Sequence, residues 1–209
     1  MAVNRSPRRR DPDHTPVRRT QAERRERTRR ALIDAATALF AEYGYVDTAR
    51  EDICARAGVT RGALDHHFDG KKGLFRAVAE DVEVRLNQRI AEAAMRETNP
   101  VHALKAGCHK YLDTATEPDV RRILLLDSRA VLGWKEWQEF HAEHGLRLMM
   151  EGIRAALPEQ RLASVEPLAH VLLAALTEAA LYVATSDHPK AARAEVQVTT
   201  DRIIDALLA

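Results

Sequence analysis

The chain has 209 residues, 45% apolar but only 5% aromatic, and carries a formal net charge of +1. That length holds one substantial core, or a small domain followed by a larger one, and the dominance of Ala, Leu, Arg and Glu predicts nearly all-α structure. Two cysteines, Cys54 and Cys108, exclude a disulfide framework and fit a reducing cytoplasm.

The near-neutral charge hides an asymmetry. Residues 1–30 hold eleven Arg against four acidic groups, a net of +7, which leaves −6 for the remainder. A basic block on an acidic protein is the electrostatic footprint of a polyanion ligand. Residues 1–19, with Pro7, Pro12 and Pro16 among many Arg, lack apolar periodicity and are expected to form a disordered arm. Arg5, Arg8, Arg9, Arg10, Arg18 and Arg19 would either order along a duplex, with one or two entering the minor groove, or remain a solvated tail. The first thirty residues contain no apolar run of the signal-peptide kind.

A first helix is expected from Gln21, with Leu32, Ala36, Leu39, Phe40 and Tyr43 on one face and Gly44 as its C′ stop. Thr48-x-x-Glu51 reads as a capping box that opens a short helix from about Ala49 to Ala57. Gly58 stops that helix, and Thr60 caps another to about His66. Asp69-Gly70 leads into a long helix from Lys71 to about Glu97, its apolar side marked by Leu74, Val78, Val82, Leu86 and Ile90. Asn99-Pro100 opens a helix to about Ala115, and Pro118 opens one through Leu132.

The stretch from Trp134 to Leu157 reads as a single helix whose apolar face switches sides. Trp134, Trp137, Phe140, His141, His144 and Leu148 give way to Leu146, Met149, Met150, Ile153 and Leu157, so a central place between two packing partners is expected. From about Val165 to Ser186 a helix is apolar almost all round. Glu178 within it argues for a buried helix rather than a membrane span. A last amphipathic helix runs from about Pro189 to Leu208 through Val196, Thr200, Ile203 and Leu207. Nothing reads as a strand.

Two short helices joined by a Gly-Val turn are the minimum device for placing a helix in the major groove of duplex DNA. Ile53, Ala57, Val59, Leu64 and Phe68 would lock the pair together. Thr60, Arg61, Gly62, Asp65 and His66 remain on the outer face, where Arg61 has the fork geometry to read a guanine edge, worth roughly 1–3 kcal/mol of discrimination. Gly62 lets backbone approach closely. Thr48, Lys71 and Lys72 lie at helix N-termini suited to phosphate, and Arg50 and His67 complete the DNA-facing set.

Residues 28–76 resemble the DNA-binding domain of the TetR family of bacterial regulators. The match lies at Gly44-Tyr45, Thr48, Ile53, Ala57-Gly58-Val59, Gly62, Leu64, His67-Phe68 and Lys71. One departure is Asp65, where the family usually has Tyr; a carboxylate there is repelled by phosphate, accepts from a cytosine N4, or is simply solvated.

The resemblance implies an all-α chain in three parts: the arm (1–19), a three-helix helix-turn-helix domain (20–76), and a larger helical ligand-binding and dimerisation domain (77–209). It further implies a repressor that binds a palindromic operator as a homodimer and releases it on binding a small molecule. Tyr111, Asp127, Trp134, Trp137, His141, His144, Met149 and Tyr182 are the candidate pocket lining, and the last two helices the candidate dimer contact.

An enzyme is not expected. The best convergent set, Glu143, His141 and His144 with Glu136 or Glu139, matches no metal or catalytic pattern, so no cofactor or metal is expected either. The alternative is a helix-turn-helix regulator without a small-molecule effector, controlled by a partner protein or by its own abundance. A cavity behind Trp134 and His141 would separate the two readings.

Overall fold

The computed structural model describes residues 20–141 and 145–208, and over these every regular element is helical. The Arg8–Arg10 arm and His144 lie outside the described residues. Thr20 opens α1 (Gln21–Asp47) with a capping box that the sequence reading did not include: its hydroxyl accepts from Glu23 N–H at 3.2 Å, and the Glu23 carboxylate accepts from Thr20 N–H at 2.8 Å. The helix loses its regularity at Gly44, which takes φ +81° at the expected stop. Tyr43, assigned to the packed face, is instead 50% exposed, while Leu32, Ile33, Ala36, Leu39 and Phe40 carry the burial.

The capping box expected at Thr48 and Glu51 does not form. Thr48 is buried, and its hydroxyl donates to Gly44 O at 2.7 Å and to Leu39 O at 3.3 Å. The bend at Gly44 brings carbonyls of α1 within reach of the hydroxyl, which is spent on them and not on the amides of the next helix. Accordingly α2 (Arg50–Ala57) starts at Ala49 with no side-chain cap. Gly58 ends α2 in the left-handed conformation, and Thr60 caps α3 (Arg61–His67) by accepting from Ala63 N–H at 3.3 Å. The lock is as read from the sequence, with Ile53, Leu64 and Phe68 buried and Ala57 and Val59 packed against them.

After α4 (Gly70–Ala94), Asn99 accepts from the amides of Val101 and His102 to open α5 (Pro100–Thr114). The helix expected from Pro118 to Leu132 is present but widened. Residues Val120–Asp127 form π-type turns that pass into α6 (Ser128–Leu132), with the Ser128 hydroxyl donating to Ile123 O at 2.6 Å. Gly133, at φ +83°, separates α6 from α7 (Trp134–His141), and α8 covers Arg147–Ala156.

The expected face switch falls between α7 and the stretch from Leu146 through α8, which serve different cores. Phe140 of α7 is buried in one core, whereas Leu146, Ile153 and Leu157 belong to the other. Trp134 is not central: it is 55% exposed.

A 3-10 turn (Glu159–Ser164) leads to α9 (Val165–Thr185) and α10 (Pro189–Leu208). By length and composition α9 could cross a membrane, yet one face of it, Ala169, Leu172, Leu176, Ala180 and Val183, packs inside the protein. Its other face is open, with Val171 and Tyr182 exposed beside His170 and Glu178, so it is not buried on all sides. On α10 the core position is Ile204, and Ile203 points outward.

The first core gathers α1–α4 with Val120, Ile123, Leu124, Leu132 and Phe140, and the second gathers α5, α8, α9 and α10. Residue 76 falls inside α4, which therefore runs unbroken from the helix-turn-helix into the larger helical unit.

Candidate nucleic-acid interface and cavity

The outer face of α3 presents Thr60, Arg61, Gly62, Asp65 and His66, all exposed, as the spacing predicts. A Cβ at Gly62 would meet nothing within 4 Å, so the surface is open there for close approach of a backbone. The charged side chains of this face are paired across to α2: Arg61 with Glu51, and Arg50 with Asp65. Such exposed pairs contribute only about 0.5 kcal/mol each, so a phosphate or base edge can displace them. Asp65 is thus neither bare nor merely solvated. It holds the Arg50 guanidinium, whose Nε is enclosed with no hydrogen-bond partner among the described residues.

Desolvation and then the neighbouring cations His66, Arg25 and Arg29 hold the His67 imidazole below its ordinary pKa, which favours its neutral form. Burial also lowers the Lys71 ammonium, which donates to Val46 O at 3.4 Å and lies 4.4 Å from the Tyr45 ring centroid. The Thr48 hydroxyl, expected on a phosphate, is committed inward and buried, so that role is corrected.

Two ties join this unit to the rest of the chain. Asp127, expected in a pocket, accepts from Tyr45 N–H at 2.8 Å and from Arg122 Nε at 3.3 Å. It belongs to the joint between the end of α1 and the π-helical turns. Nearby, Tyr45, Phe40 and Phe75 form an aromatic triangle with centroids 5.2–5.8 Å apart. The second tie is Lys72, which pairs with Glu136 of α7 at 2.8 Å and donates to Leu132 O at 3.3 Å. Its proposed phosphate contact therefore competes with an internal carboxylate.

A cavity of about 400 Å³ lies between α4, α5, α8 and α9. Of the eight expected lining residues, Tyr111 and Met149 stand on its wall. Trp134 and Trp137 do not: their rings stack on each other at 5.5 Å, with the Arg129 guanidinium 4.9 Å and 5.7 Å from the two centroids, on α7 away from the cavity. Tyr182 lines a separate outer groove between α9 and α10. His141 is the last residue of α7.

The wall includes residues that the sequence reading missed, above all Glu83, Asn87, Gly107, Gly152 and Leu173. Signals for some of them were present. Gly107 and Gly152 are helix-interior glycines, each costing about 1 kcal/mol against Ala unless something needs the space. A Cβ would approach Ile90 within 3.3 Å at Gly107 and Leu104 within 3.0 Å at Gly152, so close packing of α5 against α4 and α8 explains them. Glu83 interrupts the apolar face of α4 beside Val82 and is buried. Desolvation, with the Glu83 charge second, raises the Tyr111 hydroxyl well above its ordinary pKa, and burial pushes the Cys108 thiol up to about 12.

Residues 32–78 match the model of bacterial regulatory proteins of the tetR family, and residues 101–207 match that of the tetracyclin repressor-like C-terminal domain. The chain is 29% identical over 124 residues to the transposon Tn10 TetC protein of Escherichia coli, covering 59% of this chain and 62% of that protein. It therefore spans about three fifths of the length of that relative. It is 30% identical over 176 residues to the HTH-type transcriptional regulator BetI of Escherichia coli, covering 69% of this chain and 89% of that one. The crystal structure of a TetR-family transcriptional regulator from Pectobacterium atrosepticum superposes with a TM-score of 0.74 at 34% identity, over 91% of this chain and 98% of that one. The chain belongs to the TetR family of DNA-binding transcriptional regulators, which are not enzymes.

Proposed function

We propose that the chain acts in the cytoplasm as a homodimeric repressor that binds a palindromic operator through α3 and leaves it when a small molecule enters the cavity. The observation that carries this reading is the course of α4. It begins at Gly70, directly after the reading helix, and Ala91 and Ala94 near its end form part of the cavity wall. At 1.5 Å per residue it spans about 37 Å, enough to transmit a shift at the cavity to the position of α3. The mainly apolar cavity of about 400 Å³ supports a small-molecule effector over control by a partner protein or by abundance alone. In this reading residues 20–76 read DNA, residues 77–209 hold the effector and the dimer contact, and residues 1–19 add phosphate contacts.

The dimer contact is assigned to the outer face of α9 and α10. Val171, Tyr182, Val198 and Ile203 are large apolar side chains left exposed there in one protomer, and a twofold pairing of these helices would bury them in a four-helix bundle. The test is to select bound sequences from random duplex DNA and then screen metabolites for release of the selected site. The expected result is an inverted repeat whose half-sites fit two reading helices about 34–36 Å apart, together with at least one metabolite that releases it. A single unrepeated site, or release by no small molecule, would overturn the reading.

A further inference from the structure

The first two turns of α1 lie outside both cores. Every residue from 21 to 27 is exposed, and full burial on this helix begins at Leu32. Half-buried Arg29 lays its guanidinium 5.6 Å from the ring centroid of Phe68, just past the end of α3, and Arg25 stands one turn earlier on the same side. The ion pairs of α1 among the described residues belong to Arg30, held by Asp34 at 2.8 Å and by Asp81 at 2.5 Å. Arg25 and Arg29 have no carboxylate partner there, and like charges at i and i+4 weaken a helix, so α1 itself gains nothing from the pair. Their charge reaches the neighbouring helix. After desolvation, His66, Arg25 and Arg29 depress the His67 imidazole pKa, opposed by Glu26. The rings of His66 and His67 are 5.5 Å apart, and His66 is on the outer face of α3, so the cationic surface of α1 continues the face expected on DNA.

We propose that Arg25 and Arg29, beside His67, form a phosphate seat that grips the duplex backbone next to the groove entered by α3. The folded start of α1, and not only the chain before it, then carries sequence-independent affinity. The proposal rests on DNA reading by α3 and on no property of the cavity or of the dimer. Arg25 and Arg29 are about 6 Å apart along the helix axis, and long side chains at that spacing span neighbouring phosphates of one strand, which rise about 3.4 Å apiece. Guanidinium groups suit the task because their planar fork donates two hydrogen bonds to one phosphate. The stacking of Arg29 on Phe68 orders its side chain before DNA arrives, which lowers the cost of binding. Arg50 and Arg61 must first leave Asp65 and Glu51, whereas this pair has no carboxylate to leave. Arg27 carries the same charge but lies about 160° round the helix from both, outside the seat.

The test is fluorescence anisotropy of the full chain on a labelled random-sequence duplex of about 30 base pairs, between about 50 and 200 mM salt. Arg25→Gln and Arg29→Gln are each expected to flatten the slope of log affinity against log salt by about 0.9 per protomer bound, and the double variant by about 1.8. The matching loss of affinity is about eightfold per protomer at 0.1 M salt for each single variant. Arg27→Gln, with the same change of charge, should leave the slope within about 0.3 of the parent. Arg29→Met keeps an apolar stem on Phe68, so the same deficit there assigns the loss to charge and not to packing. Arg25 is exposed and packs on nothing, so its variant carries the test even if replacing Arg29 unfolds the domain. An unchanged slope in Arg25→Gln would overturn the seat, and so would an equal loss in Arg27→Gln, which would mean that net charge alone matters. A parent that binds the duplex while the variants match it loses the seat and keeps DNA reading by α3. A parent that binds no duplex loses both.

Discussion

At the joint between the end of α1 and the π-helical turns a single carboxylate, Asp127, accepts from both Tyr45 and Arg122, and its replacement makes a quantitative prediction. In Asp127→Ala the half-buried N–H of Tyr45 loses its 2.8 Å acceptor and Arg122 loses its carboxylate partner. An unsatisfied buried N–H costs roughly 1–3 kcal/mol, and the partly exposed ion pair adds about 0.5 kcal/mol. The sum is a destabilisation of about 2.5 kcal/mol, which for a chain of this length lowers Tm by roughly 5–10 °C. Asp127→Asn keeps a carbonyl acceptor for the amide and loses the charge, so about half that loss is expected. Thermal unfolding of the three proteins at one fixed concentration provides the measurement. An Ala variant within about 0.5 kcal/mol of the parent would refute the assignment of Asp127 as a structural tie, and so would an Asn variant as damaged as the Ala one.

Three further outcomes follow from the same geometry. Asp65→Asn removes a negative charge from the DNA face and releases Arg50, so affinity for every duplex should rise about fivefold; fluorescence anisotropy that instead shows lost preference at one base pair would establish base reading by Asp65. Hydrogen bonding to Arg89, at 2.7 Å and 2.5 Å, holds the Glu117 carboxyl below its usual range. A depressed folded pKa stabilises above the unfolded value of about 4.3 and is lost as pH falls through the folded one. The stability difference between the parent and Arg89→Ala should therefore shrink below about pH 4; a difference that stays constant into acid would contradict the pairing. Finally, raising the Cys108 thiol from 9 to about 12 lowers its thiolate population at about pH 8 by roughly a thousandfold, and burial raises Cys54 as well. Iodoacetamide should label neither thiol in the folded protein and both in urea, and prompt native labelling of Cys108 would show that water reaches the cavity freely.

What the chain determines locally was legible from its residues. Glycine at positive φ at Gly44 and Gly58 and the caps at Thr60 and Asn99 depend on neighbours within a few positions, and the apolar residues Ile53, Leu64 and Phe68 stand out against the polar rest of two short helices. They therefore specified the helix-turn-helix and its outer face. Even there the Thr48 hydroxyl went elsewhere, because the bend at Gly44 sets it against carbonyls of α1.

The cavity was harder to read because it is a space between helices and belongs to none of them. Trp134 and Trp137 have the composition of a pocket, yet α7 packs by Phe140 and leaves the two rings stacked against Arg129. Asp127 and Tyr182 have the chemistry of a ligand site, yet they were taken by the joint and by the outer groove. The residues on the cavity wall, Glu83 and the close-packed Gly107 and Gly152 among them, gain their meaning only when α4, α5, α8 and α9 are brought together. Short-range sterics and hydrogen bonding let the sequence alone determine the helices and the exposed face of α3; only tertiary packing, which sets the side of each helix that meets another, decided where the cavity opens.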